Sequence, residues 1–68
     1  MKARELRKLL KGLGCVEVRQ NGSHLLIKCG DRCITTIPVH AGEDIKTGTL
    51  KAIEKQLEAC LGKSWLGR

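Results

Sequence analysis

Phenylalanine and tyrosine are absent from this chain, and Trp65 is its one aromatic residue. Modules that read single-stranded RNA on a sheet stack bases on aromatic side chains. An RNA-recognition-motif or cold-shock architecture therefore has nothing to stack with here. No apolar run comes near the ~18 residues of a membrane span. The opening Met1-Lys2-Ala3-Arg4-Glu5 also lacks the apolar stretch of a secretory signal. No membrane role is expected. Bulk is lacking too: 68 residues make one domain over 1–68, with a core over 3–61 and a short tail over 62–68. Chains this short bury only about 60% of the surface that their unfolded form exposes. A site is expected on an open surface rather than in a deep cavity.

Positive charge is plentiful. The 13 lysines and arginines against 7 acidic residues leave a formal net charge of +6. On so small a surface that makes a field attractive to polyanions. A phosphate backbone or an acidic protein would suit it, and ordinary solubility charge is the plain alternative. Four cysteines, Cys15, Cys29, Cys33 and Cys60, are present. With no export signal, the compartment expected is the reducing cytoplasm, with thiols free and buried as small hydrophobes. Cys29 and Cys33 flank a turn, where a metal or disulfide clip is the alternative. Zinc sites prefer tighter pairs in two sets, and only His24 and His40 are at hand to complete a mixed one. Neither a metal nor a cofactor is expected.

The periodicity predicts a helix over 2–13, where Ala3, Leu6, Leu9, Leu10 and Leu13 recur at helical spacing before Gly12 and Gly14. The basic residues on its other faces serve either solvation or phosphate contact. Residues 15–20 alternate, Val16 and Val18 to one side and Glu17 and Arg19 to the other, as in a half-buried strand. Asn21-Gly22 predicts a two-residue hairpin turn. In a second strand over 23–29, Leu25, Ile27 and Cys29 face the core, and His24, Leu26 and Lys28 face away. Gly30-Asp31 makes the next turn, and a β-branched strand over 32–37 ends at Pro38. A loop over 39–48 leads through a cap-like Thr47-Gly48-Thr49 to a helix over 50–61. Leu50, Ile53, Leu57 and Leu61 form its buried stripe, with Lys51, Glu54, Lys55 and Glu58 outside. Trp65 and Leu66 are candidates to fold back. The fold class expected is α+β: a three-stranded antiparallel meander with both helices on one face. The open face is then expected to carry Glu17, Arg19, His24 and Lys28.

These segments also resemble a known family. Arg19-Gln20-Asn21-Gly22-Ser23-His24 looks like the Gly-Ser-His signature of the HicA-type toxins. Thr36-Ile37-Pro38-Val39-His40 resembles their Pro-x-His strand exit, and Lys46-Thr47-Gly48-Thr49-Leu50 with Ile53 their Gly-Thr-Leu start of the last helix. Glu5-Leu6-x-x-Leu9-Leu10 before Gly12-Leu13-Gly14 is similar to their first helix. A lone Gly-Ser-His is weak; the motifs in order, spanning residues 3 to 61, are far more specific. The resemblance implies an α-β-β-β-α fold like the double-stranded RNA-binding domain. It also implies an mRNA-cleaving toxin blocked by a HicB-type antitoxin, with His24 catalytic. Family members often carry an aromatic where this chain has Ile27.

The residues suit that chemistry. Metal-free RNA cleavage needs a base for the 2′-hydroxyl proton, and histidine as a residue type exchanges protons near neutrality. Such a group contributes roughly 10²–10⁴-fold. Charge developing on the phosphorane needs cations or N–H donors, and Arg19 and Lys28 share the expected open face. Ser23 is expected to point to the other face, away from a nucleophile's place. His40 suits a general acid, an RNA contact or a loop cap, with binding or structure favoured. The Gly48-Thr49 helix end, with Lys46 and Lys51, suits either phosphate contact or a plain N-cap. The nucleic-acid contacts expected are thus Arg19, Lys28, Lys46, Thr49 and Lys51. The rival functions are a noncatalytic RNA-binding module and a protein-interaction domain on the same fold.

Overall fold

The computed structural model describes residues 1–67; Arg68, the end of the expected tail, lies outside the described residues. Helix α1 (Ala3–Gly12) leads to β1 (Val16–Asn21), β2 (His24–Cys29) and β3 (Cys33–Pro38), then α2 (Thr47–Gln56) and the single turn α3 (Glu58–Leu61). The strands form one antiparallel sheet in the order β1-β2-β3. The architecture is the expected α+β one. At the start of α1 the Glu5 carboxylate accepts the Lys2 backbone N–H at 2.8 Å, which satisfies an amide that no helix carbonyl can reach.

One core lies between the sheet and the helices. Ala3, Leu6 and Leu10 of α1 meet Leu25, Ile27 and Cys29 of β2, Cys33 and Ile37 of β3, Ile53 of α2, and Leu57 at the junction of α2 and α3. Leu6, Leu10, Ile27, Ile37 and Leu57 are fully buried. Each contributes about 1.5–3 kcal/mol relative to an exposed position. Ile27 is therefore a packing residue. Trp65 folds back as expected, is buried, and donates its indole N–H to the Glu54 carbonyl at 2.8 Å.

Several expectations are corrected. The β1–β2 turn is Gly22-Ser23, since Asn21 still pairs with His24. Gly22 alone of the two has positive φ, at 63°, the pattern of a turn that needs glycine at its first central position. The turn after β2 takes 30–32, because Cys29 pairs with Cys33. β1 is exposed along its whole length rather than half-buried. Its register slips between Glu17 and Arg19, a bulge at Val18 that breaks the period-two alternation. Glu17 consequently turns to the helix side, opposite buried Ile27, while Arg19 stays on the open side opposite Leu26. The helix expected over 50–61 begins at Thr47 and breaks at Leu57 into α2 and α3. Periodicity locates a buried stripe, and the first turn buries nothing for it to find. Glu54, expected outside, is buried in α2, whose backbone the folded-back Trp65 caps.

The free thiols are also overturned: Cys15–Cys29 and Cys33–Cys60 are disulfides, and no described cysteine is free. The register that pairs Val16 with Lys28 sets Cys15 beside Cys29. Packing of α3 brings Cys60 to Cys33. The adjacent Cys29 and Cys33 that spacing singles out are cross-strand neighbours, yet each is bonded elsewhere.

Candidate functional site

Residues directly opposed in an antiparallel ladder share a face, so the pairings lay out the open side of the sheet in three rows. The first is Asn21–His24–Pro38, the second Arg19–Leu26–Thr36, the third Val16–Lys28–Ile34. His24 occupies the central strand at the hairpin end and is exposed. Among the described residues its ring has no hydrogen bond or ion pair. Asn21 and Pro38 flank it, and neither side chain titrates. Arg19 stands one row away, about 7 Å along the strand, and Lys28 two rows away, about 13 Å. Arg19 is thus the nearer cation. Lys28 sits between Val16 and Ile34, which are 61% and 53% exposed, so its row is an apolar strip around one ammonium.

Glu17, on the helix side, is held by a fork from Arg7: Nε donates to Oε2 at 2.8 Å and Nη2 to Oε1 at 2.9 Å. That hydrogen bond, aided by the charges of Arg7 and Lys11 and opposed by desolvation, keeps the Glu17 carboxyl below the usual carboxylate range. The same pairing raises the Arg7 guanidinium. The open face is thereby left without a carboxylate from β1.

The other candidates gather elsewhere. His40, Lys46 and Thr49 line a groove of about 310 Å³ together with Glu43 and Asp44. The first intrahelical bond of α2 runs from Leu50 N to Lys46 O at 2.9 Å. The amides of Thr47, Gly48 and Thr49 precede it and have no helix acceptor. The two carboxylates temper this groove as a phosphate site. Lys51 is exposed on α2 and lines neither of the grooves beside His40. Among the described residues no group of three or more His, Cys, Asp and Glu side chains could hold a metal ion.

The motifs seen in the sequence therefore lie on one framework: the Gly-Ser-His turn at the hairpin end, the Pro-x-His exit beside it, and the Gly-Thr-Leu turn at the start of α2. The family model described as HicA toxin of bacterial toxin-antitoxin matches residues 3–59. The chain belongs to the HicA toxin family. In this HicA-family chain the match takes in α1, the whole sheet and α2, and ends inside α3. No curated protein and no solved structure gives a significant match. The family makes the protein a toxin of a toxin–antitoxin system.

Sequence reasoning missed one feature of this HicA fold. A second groove, of about 430 Å³, lies between the start of α1 and the 39–42 loop, and Lys2, Arg4, Gln20 and His40 are among its lining residues. Lys2 bridges to Asp44 across chain segments far apart in sequence. Nothing in local periodicity signals such a pairing.

Proposed function

We propose that this HicA-family toxin is an endoribonuclease that cleaves mRNA, with His24 as its catalytic base. The observation that carries the reading is the exposed, unengaged His24 ring on a sheet face that no helix covers. A single RNA strand can lie on such a face, and a duplex is not required. The ring takes the 2′-hydroxyl proton, the freed oxygen attacks the adjacent phosphorus, and the leaving 5′-oxygen departs. Arg19, one row away, meets the charge that builds on the phosphorus. Nothing in the scheme calls for a metal. Because Asn21 and Pro38 flank the ring, protonation of the leaving oxygen falls to water or to His40, and turnover is expected to be modest.

The partner is a HicB-type antitoxin that covers the open face and is acidic where it meets Arg19 and Lys28. The site of action is the cytoplasm, where mRNA is met. The direct test is His24→Ala. It is expected to abolish RNA cleavage and growth arrest while RNA affinity and melting temperature stay within error of the parent. Cleavage that persists in the variant assigns the base elsewhere. A parent that binds RNA under salt control but never cleaves it points to a noncatalytic binding module.

A further inference from the structure

Apart from His40, the residues of the groove between α1 and the 39–42 loop have no role in the scheme above, and the groove's chemistry is specific. Three of its lining side chains are cationic, Lys2, Arg4 and Arg7. Two are already committed. Arg7 is forked onto Glu17. Lys2 donates to the Gly42 carbonyl at 2.9 Å and lies 3.5 Å from Asp44. Arg4 is exposed and, among the described residues, has no hydrogen bond or ion pair. A free guanidinium is a planar, always-charged fork matched to phosphate oxygens. Beside it the groove offers the exposed His40 imidazole and, on Ala3, Val39 and Ala41, apolar wall. Its volume of about 430 Å³ is that of a small-ligand site, larger than a phosphate alone requires.

The groove's walls are held in place. Ile45 N donates to Met1 O at 2.8 Å, and Lys2 and Asp44 form an isolated antiparallel bridge, which fastens the loop to the start of α1. The groove also adjoins the His24 row on both flanks. Gln20 of the lining precedes Asn21, which pairs with His24. Val39 follows Pro38, the other neighbour of His24, and its N–H donates to Ser23 O at 2.7 Å. A strand lying over His24 on the open face that rounds the hairpin end of the sheet enters this groove.

We propose that the groove is a second RNA subsite, which takes a phosphodiester and its ribose next to the scissile linkage, with Arg4 gripping the phosphate and His40 beside it. The assignment rests on the RNA-cleavage reading of His24. It makes Arg4 a binding residue, outside the reacting atoms.

The test uses the full chain carrying His24→Ala, so that RNA survives, and a labelled single-stranded RNA of about ten nucleotides. Fluorescence anisotropy is followed over a salt series, with and without Arg4→Ala. The added substitution is expected to weaken binding about tenfold at physiological salt and to reduce the salt slope by about one. In the active background, Arg4→Ala is expected to raise KM for the same RNA, with kcat unchanged. A dinucleotide too short to reach the groove is expected to be insensitive to it. Arg4 is exposed, so both variants are expected to share the parent's melting temperature. Equal affinity and equal salt slope with and without Arg4 overturn the groove subsite and leave His24 cleavage standing. Absence of RNA binding and of cleavage in the parent overturns both.

Discussion

Glu17 shows how one residue changes role when its strand bulges. Alternation places it with His24 on the open face, where a carboxylate would repel phosphate. The extra residue at Val18 turns it to Arg7 instead. The pair is well formed but shallow, with side chains 41% and 37% exposed. Solvent screening limits such a pair to about 0–1 kcal/mol. The sign follows from the depressed Glu17 carboxyl. Its stabilisation is present above the ordinary carboxylate value and is lost as pH falls through the lowered folded-state value. Glu17→Gln is therefore expected to cost at most about 1 kcal/mol near neutral pH in urea unfolding. The difference from the parent should vanish in acid and shrink in ~1 M salt. A variant equally destabilised at every pH would show that the effect is packing rather than charge.

Among the elements, the β1–β2 hairpin decides where His24 stands. Its turn holds Gly22 at φ 63°, and a Cβ added there meets nothing within 4 Å. The cost of Gly22→Ala is thus backbone strain alone, about 1–2 kcal/mol. Gly48 gives the opposite case: it lies in the first turn of α2, has no positive φ, and an added Cβ again meets open space. Gly48→Ala is expected to stabilise by roughly 0.5–1 kcal/mol, because alanine loses less backbone freedom in a helix. Chemical denaturation of the two variants should give shifts of opposite sign. A stabilised Gly22→Ala protein would remove the turn assigned here. The elements themselves were largely legible in the sequence: α1, the three strands and the β2 core face follow from residue type and spacing, whereas Trp65 was only a candidate to fold back. Their ends were less so, because the starts of α2 and β2 depend on backbone pairing that apolar spacing does not record.

At the scale of the whole molecule, the chain is a thin slab of 28 × 26 × 18 Å. Sheet and helices form two layers, so every functional surface is an outer one. A core this small gains from cross-links. The bridges close separations of 14 and 27 residues. In the chain-entropy account, loops of that length are each stabilised by about 3 kcal/mol, a large part of the ~5–15 kcal/mol of a native domain. A reductant is expected to lower the melting temperature by at least about 10 °C per bridge opened. Four alkylatable thiols in the native protein, with an unchanged melting temperature, would return the cysteines to small buried hydrophobes.

The order of elements, the buried face of β2, the open placement of His24 and the family motifs were determined by the sequence alone, since each depends on residue type at short spacing. Tertiary structure decided which cysteines bond, which way Glu17 faces, and that Arg4 and His40 share a groove. Those outcomes depend on register, a bulge and the docking of α1 against a distant loop. Such relations join residues far apart along the chain, and local periodicity carries no trace of them.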